Sequence, residues 1–282
     1  MHVAMLQDEL MPIEALPEAY LDRAMYFGDG VYEVLRSYRG LIFALDAHLE
    51  RFANSLQAVD IDGIDLQTVR MRVLRAFNEA KISDAKIYFH VTRGSASRDR
   101  MDDTTELTPN FFLTVTELGY ASREKAEGVR VITYPDLRWK RCDIKSLNLL
   151  PNVLARREAV KQGCSEAVLV NDKGLITEGA ASSFFAVIKE TECVTLRTSP
   201  LTANILPSVT RAYVLKAADI LGLRIIEDSI EAHQATQAAE LFLAVTTKDI
   251  LPIVQFNGQP IGSGRPGQIT QRLMKTFQRF IA

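Results

Sequence analysis

Two stretches in the first half of the chain carry apolar residues at every third or fourth position, which is the spacing of an amphipathic helix. The first helix is predicted to run from Asp46, a good N-cap residue, to about Asp60, and the second is predicted to begin after Asp65. The apolar stripes of these helices are Leu49, Phe52, Leu56 and Val59 in the first, and Val69, Val73, Leu74 and Phe77 in the second.

Short apolar runs bounded by turn residues predict strands along the rest of the chain. Residues 31–38 give no such prediction, because apolar and charged residues are mixed there without a clear period. The predicted strands are 41–45, 85–93, 110–116, 129–133, 166–170, 182–188, 241–246 and 250–256. Further helices are predicted at 152–162, at 207–221 with Pro207 in the first position, and from 268 to the C-terminus. Helices and strands mixed in this way are typical of an α+β fold.

A polar segment divides these predicted elements into two groups. Residues 119–128 are rich in charge and lack the apolar periodicity of both flanks, which is typical of a linker. The sequence therefore predicts two domains, a smaller N-terminal domain over 1–118 and a larger C-terminal domain over 129–282.

Composition and charge exclude several classes of protein. A net charge of −2 over 282 residues provides no electrostatic footprint for nucleic acid or for an anionic membrane. No apolar run approaches the length of a membrane span, and the first ten residues lack the basic and apolar regions of a secretory signal. The cysteines, Cys142, Cys164 and Cys193, are odd in number and too widely spaced for a metal site. We therefore expect a cytoplasmic protein without structural disulfides or a bound metal.

Lys145 is the candidate around which the chemistry of the chain is organised. It is the only charged residue in the apolar stretch 144–151. Because burial disfavours the ammonium form, a buried lysine is a usable nucleophile or base near neutral pH, notably towards an aldehyde. The alternative is an ordinary lysine whose amine reaches solvent from a strand end, and on this stretch alone that alternative is the commoner one.

Three other features complement an amine of this kind. Glu178 stands among small residues at 177–183, where it could pair with a protonated ring nitrogen or could be an ordinary loop glutamate. Residues 206–211 place two hydroxyls at a helix start, which is an anion site or a plain cap. Arg51 could clamp a phosphate, or it could pair with Glu50 or an acid on the next turn. An amine, an acid, a phosphate cradle and an arginine are together what a pyridoxal-phosphate enzyme needs.

The motifs of the chain as a whole resemble those of one enzyme family. They are Asp22-Arg23, Phe27-Gly28-Asp29-Gly30-Val31-Tyr32-Glu33, Asp46, His48-Leu49, Arg51, Lys145-Ser146-Leu147-Asn148, Glu166-Ala167, Thr177-Glu178-Gly179 and Thr210-Arg211. With these motifs the chain resembles the fold-type IV pyridoxal-phosphate enzymes over nearly its whole length. That family contains D-amino-acid aminotransferases, branched-chain aminotransferases and aminodeoxychorismate lyases, and the run after Lys145 is more similar to the first of these than to the second.

The resemblance implies a cofactor and a role for each site residue. Lys145 would bind the aldehyde of pyridoxal 5′-phosphate and then move the proton at the substrate Cα, while Glu178 would face the pyridine nitrogen. The phosphate would be held by Arg51, Val209, Thr210 and Thr246, and Leu206 would pack against the ring. The resemblance also implies a homodimer, with the cofactor at the interface of the two domains.

The same resemblance implies transamination from a D-amino acid, such as D-alanine, to a 2-oxo acid, such as 2-oxoglutarate. In the D-amino-acid enzymes a tyrosine, an arginine and a histidine hold the substrate carboxylate. Tyr32 and Arg98 match the first two, whereas Arg100 stands at the histidine position. The loop with both arginines would reach the cofactor of the partner subunit. As an alternative, these arginines belong to a solvated loop and pair with the aspartates at 99, 102 and 103.

Other activities stay open at this point. The run Lys145-Ser146-Leu147-Asn148 is also compatible with an aminodeoxychorismate lyase, which would release pyruvate rather than pass the amine on. Because the carboxylate site departs from the D-amino-acid pattern at Arg100, a branched-chain or (R)-amine aminotransferase is a further alternative. A protein of a different class, one that binds the cofactor without catalysing a reaction, would carry the same scaffold.

Overall fold

The computed structural model describes residues 2–100, 107–189, 193–202 and 204–281. Its mixture of helices and strands confirms the α+β class. The helices are α1 Arg23–Phe27, α2 Leu45–Ala58, α3 Leu66–Ala80, α4 Ser122–Glu127, α5 Leu150–Lys161, α6 Val209–Ile220, α7 Ala232–Ala235 and α8 Gln268–Phe277. The strands are β1 Val3–Leu6, β2 Glu9–Pro12, β3 Gly30–Tyr38, β4 Leu41–Ile42, β5 Ala85–Thr92, β6 Asn110–Glu117, β7 Val129–Pro135, β8 Glu166–Val170, β9 Leu175–Gly179, β10 Ser183–Lys189, β11 Val194–Thr198, β12 Arg224–Glu227, β13 Ile230–Glu231, β14 Glu240–Val245, β15 Asp249–Phe256 and β16 Gln259–Pro260.

The first half of the chain builds a four-stranded antiparallel sheet in the order β4-β3-β5-β6. The apolar stripes of α2 and α3 pack against one face of this sheet, as their periodicity predicts. Leu74 is the exception, because it lies on the exposed side of α3 and not in the core. Phe52 of α2 meets Phe89 of β5 edge to face, with ring centroids 5.0 Å apart. The sheet and the two helices therefore share one apolar core.

The second half builds a larger mixed sheet in the order β12-β11-β10-β14-β15-β7-β8-β9-β13, with β16 paired to β15. β7 runs parallel to both of its neighbours, β8 and β15. The strand faces are buried on both sides, and α6 and α8 cover one side through Val214, Leu273 and Phe277. The rings of Phe185 and Phe242 stack in that layer with centroids 4.9 Å apart.

The lysine segment is joined to the smaller sheet through β3. The backbone N–H of Tyr32 donates to the Lys145 carbonyl at 3.0 Å, and that of Leu147 donates to the Gly30 carbonyl at 3.0 Å. The approach is close, because a Cβ on Gly30 would lie 2.8 Å from Leu147 Cδ1 and 2.6 Å from the Val91 carbonyl oxygen. Glycine at position 30 thus allows the lysine segment to lie against β3.

Some predicted boundaries around α2 are wrong. The predicted strand 41–45 is only the two-residue β4, since the chain turns at Ala44, which has φ 52° and is the N-cap of α2. Asp46 lies within the first turn instead of capping the helix, and its carboxylate accepts a hydrogen bond from Arg70. By contrast, α3 begins directly after Asp65 as predicted, and Asp65 is its N-cap, accepting from the backbone N–H groups of Gln67 and Thr68.

The predicted linker and the predicted start of α6 also differ from the structure. Residues 119–128 contain the short helix α4, although the division into domains 1–118 and 129–282 stays a prediction. α6 begins at Val209, two residues after Pro207, because Ser208 is the N-cap and its hydroxyl accepts from the Arg211 N–H at 3.1 Å. Among the described residues, no helix has both the length and the apolar character of a membrane span.

Candidate active site

A cavity of about 800 Å³ lies where the lysine segment meets both sheets. Its walls come from β3, the lysine segment, α5, β9, the residues before α6 and the turn after β14. The structure thus brings together most of the predicted site residues, although they are widely separated in the sequence. Those that line the wall are Tyr32, Arg51, Lys145, Glu178, Leu206 and Thr246.

Lys145 is one of the residues that form the wall of this cavity. The residue is half-buried, and its Nζ lies 4.2 Å from the centroid of the Tyr32 ring. Its backbone N–H donates to the Ser55 hydroxyl of α2 at 3.1 Å. The backbone of Lys145 is therefore fixed by both α2 and β3. A fixed backbone helps a side chain to meet a ligand in a single geometry.

Glu178 is a buried residue of β9 and not a loop glutamate. It is 5 % exposed, and its Oε1 accepts hydrogen bonds from Arg138 Nη1 at 2.5 Å and from the Leu206 N–H at 3.3 Å. Burial raises the pKa of Glu178 above its ordinary value, and the Arg138 guanidinium opposes that rise. The carboxylate is thus most stable as an anion when a second positive group lies beside it.

Arg138, which holds Glu178, was not predicted from the sequence. Its Nη2 donates to Asp136 Oδ2 at 2.8 Å, and Asp136 also accepts from the Thr177 hydroxyl at 2.7 Å. The arginine therefore lies between two carboxylates and lines the cavity itself. Asp136-Leu137-Arg138 follows the end of β7, and charged residues after a strand are too common to indicate a site.

Arg51 pairs with Glu33 of β3 and not with its neighbour Glu50. Its Nε and Nη2 each donate to one Glu33 oxygen at 2.7 Å, and His48 Nδ1 lies 2.8 Å from the same carboxylate. Burial alone would raise the pKa of Glu33, but the charge of Arg51 and the hydrogen bond from His48 lower it to about 2. The remaining nitrogen, Nη1, donates to the Pro207 carbonyl at 3.1 Å. This buried cluster fixes Arg51 beside the start of α6.

The end of the cavity near Arg51 has the chemistry of an anion site. Within the described residues, the backbone N–H groups of Val209, Thr210, Thr246 and Thr247 donate to no protein acceptor. Val209 and Thr210 are buried at the start of α6 behind Ser208, which lines the wall. Free N–H groups at a helix start and in a turn favour an anion. An amine, a carboxylate and an anion site around one cavity fit pyridoxal phosphate.

The two arginines predicted to bind the substrate carboxylate are not part of this wall. Arg98 and Arg100 are exposed, and Arg98 Cζ lies 5.8 Å from the centroid of the Phe27 ring. The alternative partners at 102 and 103 lie outside the described residues. Tyr32 is therefore the one member of the predicted carboxylate site that a single chain places in its own cavity.

Cys142 lies in the wall close to Lys145 in sequence but is not a nucleophile. Its thiol donates to the Trp139 carbonyl at 3.1 Å, and burial raises its pKa to about 11. A thiol with that pKa is neutral at physiological pH and unreactive. In the part of the chain that the structure describes, no group of three His, Cys, Asp or Glu side chains could hold a metal ion.

Comparison with known proteins agrees with this geometry. The D-alanine aminotransferase of Bacillus licheniformis is 37 % identical over 264 residues, which cover 92 % of this chain and 90 % of that protein. The branched-chain amino acid aminotransferase of Escherichia coli has a similar fold, with a TM-score of 0.86 at 21 % identity over 98 % of this chain and 93 % of that one. A fold IV transaminase from Curtobacterium pusillum gives a TM-score of 0.81 at 22 % identity, over 97 % of this chain and 93 % of that one. The family described as amino-transferase class IV matches residues 30–256. The chain therefore belongs to the class IV aminotransferases.

Proposed function

We propose that this protein is a pyridoxal-phosphate-dependent aminotransferase that moves the amino group of a D-amino acid, such as D-alanine, to a 2-oxo acid, such as 2-oxoglutarate. The observation that carries the proposal is the cavity in which Lys145, Glu178 and Thr246 meet. The 37 % identity to a D-alanine aminotransferase supports the choice of D-amino acids. The solved branched-chain enzyme and the solved fold IV transaminase, at 21 and 22 % identity, support the fold alone.

Each side chain in the cavity has a separate role in this proposal. When bound, the cofactor supplies an electron sink for the charge that develops at the substrate Cα. Lys145 holds the aldehyde and then, as a free amine, removes and returns the Cα proton. Glu178 keeps the ring nitrogen protonated, because a carboxylate beside that nitrogen favours its charged form. Leu206 packs against the ring.

The phosphate is assigned to the anion-binding end of the cavity. Arg51 would contribute a guanidinium, and the start of α6 would contribute the backbone N–H groups of Val209 and Thr210. Thr246 would complete the site from the turn after β14. These donors belong to three separate elements, so that the phosphate would join the two halves of the chain.

We further propose that the enzyme acts as a homodimer in the cytoplasm. Tyr32 would bind the substrate carboxylate from within the cavity, and Arg98 and Arg100 would reach it from the partner subunit. Both arginines are exposed and lie outside the cavity of their own chain, which supports a role across a subunit interface. A guanidinium binds a carboxylate through two parallel hydrogen bonds, and Arg100 can therefore replace a histidine in this role.

Absorbance spectroscopy of the purified holoenzyme tests the reaction. A band from the bound cofactor is expected, and D-alanine should bleach it while L-leucine and aminodeoxychorismate leave it unchanged. Bleaching by aminodeoxychorismate with release of pyruvate would identify a lyase instead, and bleaching by L-leucine would identify a branched-chain enzyme. A band that none of these compounds changes would indicate a cofactor-binding protein without catalytic activity.

Substitution of the lysine tests its role directly. Lys145→Ala removes the amine and is expected to abolish both transamination and the cofactor band, because the group assigned as base and covalent partner is then missing. Lys140→Ala is the matched control, since Lys140 is an exposed lysine of the same loop and its loss should leave both unchanged. Persistent transamination by Lys145→Ala would refute the assignment.

A further inference from the structure

Arg36 of β3 is a buried arginine, 1 % exposed, that forms no ion pair with an Asp or Glu of the described residues. Its Nε and Nη2 are buried and find no hydrogen-bond acceptor among the described residues. Removing a cation from water without a counter-charge is costly. A buried guanidinium in this state therefore points to a ligand or contact that offsets its charge.

Two aromatic rings and two carboxylates surround Arg36. The guanidinium carbon lies 4.6 Å from the centroid of the Tyr38 ring and 5.2 Å from that of Tyr120, and contacts of this kind stabilise a cation without neutralising it. Asp249 accepts from the Tyr38 hydroxyl and is paired with Lys125 Nζ at 2.6 Å. Asp84 accepts from the Tyr120 hydroxyl at 2.6 Å and is stabilised by the charge of Arg36, but it forms no ion pair with Arg36.

The remaining contact of Arg36 leads to the anion-binding end of the cavity. Its Nη1 donates to the carbonyl of Thr247, which is 211 residues away and lines the cavity next to Thr246. The backbone N–H groups of both threonines are free of protein acceptors within the described chain. Arg36 therefore touches the outer side of the turn whose inner side faces the cavity.

We propose that Arg36 is a positioning residue for the cofactor phosphate. It holds the Thr246–Thr247 turn through the Thr247 carbonyl, and it adds behind that turn a positive charge that forms no ion pair among the described residues. A phosphate dianion in the cavity would be attracted by this charge. This inference rests on the proposed function, because it requires the phosphate of pyridoxal phosphate to lie against the turn.

Comparing two ligands separates this role from plain structural support. Pyridoxal phosphate and pyridoxal share the ring and the aldehyde but differ in the phosphate. The affinity of the apoprotein for both is measured by titration, for the wild type and for Arg36→Met. We expect Arg36→Met to weaken the binding of pyridoxal phosphate at least about tenfold and the binding of pyridoxal less than about twofold. A purely structural role would weaken both ligands by the same factor.

Two more variants make the comparison decisive. Arg36→Lys keeps the charge but loses the forked donor, so it should weaken pyridoxal phosphate by about threefold, and it decides the matter if Arg36→Met does not fold. Arg23→Met removes another buried arginine, which pairs with Asp29 at 2.9 Å and lies outside the cavity. It should leave the ratio of the two affinities unchanged.

The outcomes distinguish this inference from the proposed function. If the wild type prefers pyridoxal phosphate over pyridoxal and the Arg36 variants keep the same preference, the role of Arg36 is refuted while the proposed function stands. If the wild type binds both ligands equally or binds neither, the phosphate assignment and the proposed function fail together.

Discussion

Two buried glutamates beside the cavity have pKa values that are shifted in opposite directions. Arg51 and His48 offset the burial of Glu33 and lower its pKa to about 2. Burial raises the pKa of Glu178 in spite of Arg138. Two acids whose pKa values are shifted apart in this way can perform different tasks. Glu33 is a permanent anion that orients Arg51, whereas Glu178 depends on a positive partner to stay charged.

Arg138 is expected to control the charge of Glu178. Arg138→Met removes the cation that lowers the pKa of Glu178, so this pKa should rise further and the carboxylate should become protonated nearer to neutral pH. We expect kcat/KM at neutral pH to fall by about tenfold for each unit of pKa rise above the assay pH and to recover as the pH increases. The pH profile of kcat/KM measures this. Arg141→Met is the control, since Arg141 is exposed and pairs with Asp143. Superimposable profiles for Arg138→Met and wild type would contradict the role.

Glu33 is expected to make the stability of the protein pH-dependent. Its pKa is lowered from an ordinary value of 4.5 to about 2, so its charged form stabilises the fold above pH 4.5 and this contribution is lost as the pH falls towards 2. The full contribution is on the order of 3 kcal/mol. The free energy of unfolding of Glu33→Gln should therefore lie below that of the wild type near neutral pH.

Urea unfolding at decreasing pH measures this difference. The gap between wild type and Glu33→Gln should narrow below about pH 4.5, as far as both proteins stay folded. Glu79→Gln removes an exposed glutamate of α3 and should leave the pH dependence of the wild type intact. A gap that is constant with pH would show that Glu33 acts through packing instead of charge.

The site residues that could be predicted are those whose signal is local. Lys145 stands out among apolar neighbours, and a resemblance to known motifs could assign Glu178. Residues that act through distant partners carry no such signal. Arg138 meets Glu178 across 40 positions and Arg36 meets Thr247 across 211. Only the folded chain shows these pairs.

At the scale of elements, periodicity predicts the helices that bury one face and expose the other. The stripes of α2 and α3 face a single core, and both helices were predicted. β3 was not predicted, because it is buried along both faces and carries the charged Glu33 and Arg36 inside. A strand of this kind shows neither alternation nor an apolar run. The strand with the least recognisable pattern thus supplies Tyr32 to the cavity wall and Glu33 to the cluster that fixes Arg51.

α4 lies in the segment 119–128, which is predicted to be a linker because it is charged and lacks apolar periodicity. In the structure the helix has six residues and none of them is buried. Ion pairs attach it to the turn between β14 and β15, where Lys125 pairs with Asp249 at 2.6 Å and Glu124 with Lys248 at 2.8 Å. Helices held by charge in this way lack the apolar stripe that would reveal them. α4 therefore supports the turn that contains Thr246 from outside the cavity.

The two ion pairs of α4 are expected to differ in strength. The side chains of Lys125 and Asp249 are 19 and 9 % exposed, against 34 and 36 % for Lys248 and Glu124. Lys125→Met should therefore lower the free energy of unfolding by about 1.5–3 kcal/mol, because the buried carboxylate of Asp249 then loses its charged partner. Lys248→Met should cost less than about 1 kcal/mol. Urea unfolding of both variants measures the difference, and an equal loss in the two would contradict it.

At the scale of the whole molecule, one subunit holds only part of the proposed substrate site. Tyr32 lines the cavity next to Lys145, whereas Arg98 and Arg100 are exposed and outside it. A twofold symmetric dimer would repeat any contact between this loop and the neighbouring cavity. Each active site would then combine the lysine of one chain with the arginines of the other.

Mixed dimers test this arrangement, because they can combine two inactive subunits into one complete site. One subunit carries Lys145→Ala, and the other carries Arg98→Met with Arg100→Met. If the arginines act across the interface, the second subunit keeps its own Lys145 and receives intact arginines from the first. Random reassortment of equal amounts should then restore about a quarter of wild-type activity. If the arginines serve their own chain, every site in the mixture lacks one essential group, and no activity should return on mixing.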